Sequence, residues 1–350
     1  MTDTVQQKPL KAKDYASSQD IRWCPGCGDY AILNRVQKVA ANLGWRPENT
    51  VFVSGIGCAA RFPYYMNTYG FHTIHGRAPG IATGIVLANP DLNVWIVGGD
   101  GDMLSIGGNH LMHFLRRNVN AKLMLFNNRI YGLTKGQYSP TSETGKKTSS
   151  SPDGSLESPI NPIAIALASE GSFVARGIAV DKDLGGLLER AAAHQGGAIV
   201  EIYQDCNVFN HKTFDYAEDK DTKEENLLRL EHGKPMVYGK NRDKGVRLRG
   251  AKLEKVSLNG ADNGSSVNDL LVHDETDAGL AMLISRMKHP EFPEPVGVFH
   301  AVERPSYDAQ ITRQVEEKIA ERGKGTLEAL FNSGDVYTID EQDSELGSHL

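Results

Sequence analysis

The sequence predicts a doubly wound, parallel α/β sheet followed by a C-terminal extension. Three observations lead there. Short apolar runs alternate with stretches of helical periodicity, the pattern of strands joined by helical crossovers. The glycine-rich and polar motifs fall where those strands end, the edge at which such sheets take ligands. Hydrophobic residues make up 40% of the 350 residues, enough for a substantial core.

The elements follow in order. The first helix is read over residues 29–43, where Ile32, Leu33, Val36, Val39, Ala40 and Leu43 share one face and Gly44 stands at the terminating position. Val51, Phe52 and Val53 form a short buried strand leading into the loop 54–58, Ser-Gly-Ile-Gly-Cys. Pro79 is placed as the first residue of a helix continuing to Ala88, because its fixed φ and missing N–H suit a first turn. VWIVG, residues 94–98, is a second strand; a helix over 107–117 and a third strand, KLMLF at 122–126, complete the first half. His110 and His113 share that helix without a carboxylate to complete a metal site, and are read as structural.

Periodicity is lost after Tyr138. Residues 141–158 are a polar loop long enough for a lid or a partner contact. A helix near 162–169, a strand at 173–175, a helix over 184–194 and a strand at 198–203 follow, the last ending just before Cys206. A second polar stretch, 257–268, precedes helical segments at 278–287 and 310–322. This organisation gives an N-terminal arm (1–20), a body (21–215) and an extension (216–350), with no internal repeat.

Composition narrows the class. The 38 Lys and Arg against 44 Asp and Glu give a formal charge of −6, and no basic stripe offers a nucleic-acid surface. No apolar run approaches the ~18–20 residues of a spanning helix. The first twenty residues lack the apolar segment of a secretory signal. The expectation is a cytoplasmic protein that binds neither membrane nor nucleic acid.

The four cysteines are Cys24, Cys27, Cys58 and Cys206. In a reducing compartment structural disulfides are rare. Cys24 and Cys27 form a CxxC, which is either a redox pair beside two structural cysteines or half of a four-thiolate metal or iron–sulfur site. Spacing alone leaves both open.

Gly99-Asp100-Gly101 follows the second strand, and after 25 intervening residues Asn127-Asn128 follow the third. This resembles the thiamine diphosphate signature, although Gly-Asp-Gly by itself is also an ordinary turn. Strand, glycine turn, helix and strand return the chain to the same sheet edge, so that Asp100 and Asn128 converge. The glycines admit the diphosphate and the next helix offers N–H groups to it. The resemblance places magnesium on Asp100, Asn128 and the carbonyl of Ile130, completed by the diphosphate.

Trp23-Cys24-Pro25-Gly26-Cys27-Gly28 and Gly55-Ile56-Gly57-Cys58, with HTIHGRAPGIATGIVLANPDL (72–92), NNRIYGLTKGQYSPTS (127–142) and Cys206, resemble the β subunit of the 2-oxoacid:ferredoxin oxidoreductases. LLVHDETDAGLAMLISRM, FPEPVGVFHAVERPSYD and GKGTLEALFNSGD resemble its 2-oxoglutarate branch. The resemblance implies a sheet of thiamine diphosphate-binding type, with one 4Fe–4S cluster on the four cysteines. It also implies a cofactor site formed by Gly57, Cys58, His75, Gly99, Asp100, Gly101, Asp102, Asn128, Tyr131, Gly132, Leu133 and Thr134.

The activity implied is oxidative decarboxylation of 2-oxoglutarate with coenzyme A to succinyl-CoA and CO2. The thiazolium is the sink for the electron pair left by CO2, and the cluster passes electrons singly to ferredoxin. In this family the activating glutamate lies on an α subunit, so the chain is expected to work only with that partner. Arg61 is placed to pair with a distal carboxylate, and Lys135 to meet substrate or a coenzyme A phosphate. The alternatives are a β subunit for pyruvate or another 2-oxoacid, a thiamine diphosphate lyase with a structural zinc, and a zinc-stabilised binding protein without catalysis.

Overall fold

The structure is a computed structural model that describes residues 9–258 and 265–337. The expected arm and the second polar stretch therefore fall partly outside the described residues. The chain forms two compact units, Met1–Asp308 and Ala309–Leu350.

In the first unit the strands of the main sheet are β1 (Thr50–Ser54), β2 (Tyr69–His72), β3 (Asn93–Gly99), β4 (Lys122–Asn127), β5 (Phe173–Ile178), β6 (Ala198–Tyr203), β7 (Leu227–Leu230) and, later in the chain, β11 (Glu294–Ala301). A small antiparallel sheet is built from β8 (Val237–Tyr238), β9 (Lys244–Arg249) and β10 (Lys252–Ser257). The helices are α1 (Asp29–Asn42), α2 (Phe62–Tyr65), α3 (Ala78–Ala88), α4 (Asp100–Leu104), α5 (Gly108–Arg117), α6 (Pro162–Ala168), α7 (Leu184–Ala193), α8 (Asp215–Glu218), α9 (Lys223–Asn226) and α10 (Ala278–Ile284). α11 (Tyr307–Arg322) begins at the end of this unit, and α12 (Leu327–Phe331) lies in the second.

The main sheet has the order β2-β1-β3-β4-β6-β5-β11-β7. Its alternating residues feed two cores. Val94 and Ile96 of β3, with Leu123 and Leu125 of β4, pack on one face, where α3 and α5 contribute Ala82, Val86, Leu111 and Phe114. Trp95 and Val97, with Met124 and Phe126, pack on the other, against Ile32, Val36 and Val39 of α1 and Leu188 of α7. Because both faces are covered, β1, β4, β5 and β6 are buried at every residue.

The parallel expectation holds from β2 through β5 and then needs a correction. β11 pairs antiparallel with β5, and β7 pairs parallel with β11, so the last two strands run against the rest. Both come from the segment read as an extension, so the main sheet continues past residue 215. The helix expected over 107–117 begins at Gly108 and is preceded by the separate turn α4. Pro79 is the second residue of α3, which starts at Ala78. Among the described residues no helix is long and apolar enough to cross a membrane.

Candidate functional site

Three adjacent strand ends build the site. β1 runs into Gly55-Ile56-Gly57-Cys58, β3 into Gly99-Asp100-Gly101, and β4 into Asn127-Asn128-Arg129-Ile130. These loops open on one cavity of about 560 Å³. It is lined by Gly57, Cys58, His75, Gly99, Asp100, Gly101, Asp102, Asn128, Ile130, Tyr131, Gly132, Leu133 and Thr134. Every residue expected around the diphosphate thus borders one space, although they come from five separate stretches of chain.

The backbone there is shaped to admit a bulky guest. A Cβ on Gly57 would meet nothing within 4 Å, and one on Gly99 only the Phe126 carbonyl oxygen at 3.9 Å, so a side chain at either position would stand in the cavity. Gly101 answers a different demand. A Cβ there would lie 2.2 Å from the Tyr131 ring, whose hydroxyl donates to the Gly101 carbonyl at 3.0 Å. Only glycine lets β3's exit turn and the Tyr131 loop lie that close.

Asp100 is 2% exposed, and burial pushes its carboxyl above the usual carboxylate range. Hydroxyls of Ser139 and Thr141 oppose that shift by donating to Oδ2, each at 2.5 Å. Asn128 Oδ1 accepts from the Ile130 N–H at 3.1 Å, and its carbonyl accepts from Asn210 Nδ2 at 2.9 Å, which fixes the second loop. Asp102 is also raised by burial, against the Gly76 N–H that donates to Oδ1 at 2.6 Å. Its other oxygen, Oδ2, is buried against Gly55 and Gly98, and the Ile56 N–H also opposes the upward shift. His75 Nδ1 stands 2.7 Å from Asp102 Oδ1 without hydrogen-bond geometry.

Asp29, the first residue of α1, was not singled out by its sequence, where it reads as an ordinary acid in a first helical turn. It borders the cavity, and burial pushes its carboxyl up to about 7. Cys27 and Cys58 lie close to it. Burial, then the Asp29 charge, raises both thiols, Cys58 to about 11.

The cysteines gather beside this cavity. The CxxC closes as a turn, Cys27 N–H donating to the Cys24 carbonyl at 3.1 Å, and Gln204 Nε2 donates to Cys27 Sγ at 3.1 Å. The sulfurs of Cys58 and Cys206 each lie 3.6 Å from the point where a Cβ on Gly132 would stand, so at most twice that separates them. Among the described residues no three His, Cys, Asp or Glu groups are drawn tightly enough to hold a single metal ion.

Arg61 lines a second cavity of about 510 Å³, together with Arg22, Tyr64 and His72. The two cavities share Ile56, Gly57 and Leu133. Lys135 is exposed, has φ +75°, and borders neither. His110 is held against the Arg77 guanidinium and lies beside Gly80 of α3.

The comparisons with known proteins agree with this geometry. The family described as thiamine pyrophosphate enzyme, C-terminal TPP-binding domain, matches residues 55–202. The chain is similar to the 2-oxoglutarate oxidoreductase subunit KorB of Mycobacterium tuberculosis, 51% identical over 341 residues, covering 95% of this chain and 90% of that one. It is 45% identical over 199 residues to the β subunit of 2-oxoacid:ferredoxin oxidoreductase 2 of Aeropyrum pernix, covering 57% of this chain and 64% of that one. Among solved structures it is similar to the 2-oxoglutarate:ferredoxin oxidoreductase of Magnetococcus marinus, which has 2-oxoglutarate, coenzyme A and succinyl-CoA bound. The TM-score is 0.75 at 33% identity, covering 95% of this chain and 98% of that chain.

Proposed function

The chain belongs to the family of 2-oxoacid:ferredoxin oxidoreductase β subunits, and on that premise we propose that it binds the thiamine diphosphate of an enzyme oxidising 2-oxoglutarate. The overall reaction joins 2-oxoglutarate and coenzyme A into succinyl-CoA and CO2 and releases one proton. The two electrons go singly to two ferredoxins. The observation that carries this reading is the meeting of Gly99-Asp100-Gly101, Asn128-Arg129-Ile130 and Gly57-Cys58 around one cavity.

Bound thiamine diphosphate supplies the electron sink for decarboxylation. Asp100, Asn128 and the Ile130 carbonyl would hold its magnesium, an oxygen-ligand set suited to that ion. The side-chain-free walls at Gly57 and Gly99 fit a bulky guest. His75, Tyr131, Gly132, Leu133 and Thr134 would complete its walls.

Cys24, Cys27, Cys58 and Cys206 would hold one 4Fe–4S cluster, each thiolate on a different iron. A zinc site would instead need its sulfurs at about 2.3 Å from one ion. No three candidate ligands are so gathered among the described residues. The Cys27 and Cys58 thiols, which burial and Asp29 raise, would be held as thiolates by the iron of such a cluster.

Arg61, in the cavity that adjoins the first at Gly57, would pair with the distal carboxylate of 2-oxoglutarate. Lys135, exposed next to the cavity-lining Thr134, is left for a coenzyme A phosphate. An α subunit would bring the glutamate that activates the cofactor, so the chain alone is expected to be inactive.

The test is an anaerobic visible spectrum with iron, sulfide and zinc analysis, then 2-oxoglutarate and pyruvate assays with the α partner present. A broad band near ~400 nm and about four irons per chain are expected for a Cys₄ iron–sulfur site. About one zinc with no visible band would overturn the electron-transfer reading. Pyruvate turning over faster than 2-oxoglutarate would overturn the substrate.

A further inference from the structure

We propose that Ser139 and Thr141 are positioning residues for Asp100: they commit one carboxylate oxygen to the protein and leave the other for a divalent cation. The inference rests on the reading of Asp100 as a magnesium ligand and adds to it the device that aims the ligand.

The geometry is specific. Both hydroxyls reach the same oxygen, Oδ2, and Asp100, Ser139 and Thr141 are only 2%, 2% and 4% exposed. Two neutral donors solvate a buried carboxylate without neutralising it. A lysine or arginine in their place would compete with the incoming cation, and among the described residues no such side chain forms an ion pair with Asp100. The negative charge is thereby held in one orientation and remains available.

The donors are themselves fixed. The Ser139 N–H donates to Ser142 Oγ at 2.8 Å, and the Ser142 hydroxyl donates to the Arg129 carbonyl at 2.6 Å. This ties the donor segment to the loop that carries Asn128 and Ile130. The Thr141 hydroxyl has one proton, which the carboxylate at 2.5 Å takes. Its oxygen also lies 2.9 Å from Asn127 Oδ1, which accepts the Arg129 N–H at 3.2 Å. Asn127 Nδ2 in turn donates to Glu201 at 2.7 Å, and Glu201 is paired with Arg176. Through Ser139, Ser142 and the Arg129 backbone, a continuous hydrogen-bonded chain runs from Asp100 to Asn127 and Glu201 in the centre of the sheet. The start of the polar loop read as a lid or a partner contact is, on this proposal, an internal clamp.

Outer partners of metal ligands typically contribute about 10–100-fold to metal affinity. The complex with its partner subunit, stripped of magnesium by chelation, is titrated with Mg2+ at fixed thiamine diphosphate, and cofactor binding is read by equilibrium dialysis. In Thr141→Val the half-saturating Mg2+ is expected to rise about 10–100-fold, with Thr141→Ser restoring it and the melting temperature of the cofactor-free complex unchanged. Ser139→Ala gives the same reading if the valine variant fails to fold. An unchanged Mg2+ dependence in Thr141→Val and Ser139→Ala overturns the clamp. So does a shift that Thr141→Ser shares and that tracks a lowered melting temperature. If the wild-type complex binds no thiamine diphosphate at any Mg2+ concentration, the functional reading falls first, and the clamp with it.

Discussion

Towards one end of the sheet Arg176 is buried between two carboxylates, Glu201 at 2.7 Å and Glu294 at 2.5 Å, each member 3% exposed or less. Tyr203 and Tyr216 donate further hydrogen bonds to Glu294. At the carboxyl edge of β1, β3 and β4, Asp29, Asp100 and Asp102 are equally buried, and each carboxyl is raised by burial. None of those three is ion-paired with a lysine or arginine among the described residues; their partners are hydroxyls, a backbone N–H, a thiol and the His75 ring. The first cluster carries a counter-charge of its own in Arg176, with tyrosine hydroxyls on Glu294, and ties β5, β6 and β11 together. The second has no lysine or arginine of its own, which is where the proposed magnesium would supply the counter-charge. Buried charge therefore marks structure where the chain supplies the counter-charge and a binding site where it does not.

The largest effect that could break this contrast is in the Arg176 cluster. Arg176→Met leaves Glu201 and Glu294 unpaired and is expected to cost about 3–5 kcal/mol in denaturant unfolding. The triple replacement Arg176→Met, Glu201→Gln, Glu294→Gln should recover part of that loss. A fully stable Arg176→Met chain would show that this network is dispensable.

The opposite outcome is expected at the cavity. Asp100→Asn removes a charge that burial disfavours, so the unfolding midpoint of the cofactor-free chain should stay level or rise. Thiamine diphosphate binding with Mg2+ should fall by at least the ~100-fold that lesser changes around metal ligands reach. Loss of folding without loss of binding would invert the comparison.

A smaller effect sharpens it from the amino edge of the same strands. His194 is held near Ser172 Oγ at 2.8 Å, and burial, with Lys122 and Arg304 nearby, pushes it down to about 4. Its folded value lies below the ordinary histidine value of ~6.5, so the unfolded chain binds more protons between them. The contribution is complete above the ordinary value and is lost as pH falls towards the folded one. His194→Gln should flatten that part of the stability–pH curve, measured by urea midpoints across the window. An unchanged slope would assign the acid sensitivity to other groups.

Much of the fold was legible because the central strands are short runs of large apolar residues between helices of clear periodicity, as Val94 to Gly98 and Lys122 to Phe126 illustrate. β2 was not, since Tyr69 to His72 are all exposed and no burial pattern is imprinted on them. β11 was hidden by its own composition: Glu294, Pro295, Gly297 and His300 interrupt the apolar run, and a bulge lies between Val298 and His300. Its reversed direction has no local signal at all.

The sequence by itself determined that the Gly99-Asp100-Gly101 turn and the Asn127-Asn128 pair meet at one edge of the sheet. A glycine turn after one strand and an asparagine pair after the next must return to the same sheet edge, because parallel strands joined by helices end on one side. Only the tertiary structure decided how those residues are held. Asp29 reaches the cavity from the start of a helix, Ser139 and Thr141 reach Asp100 from a loop 39 and 41 residues beyond it, and Glu201 reaches Asn127 from a strand 74 residues beyond it. No short-range pattern encodes contacts of that separation. They follow from packing one surface against another, and burial then gives ordinary carboxylates and hydroxyls a task that their neighbours in sequence do not announce.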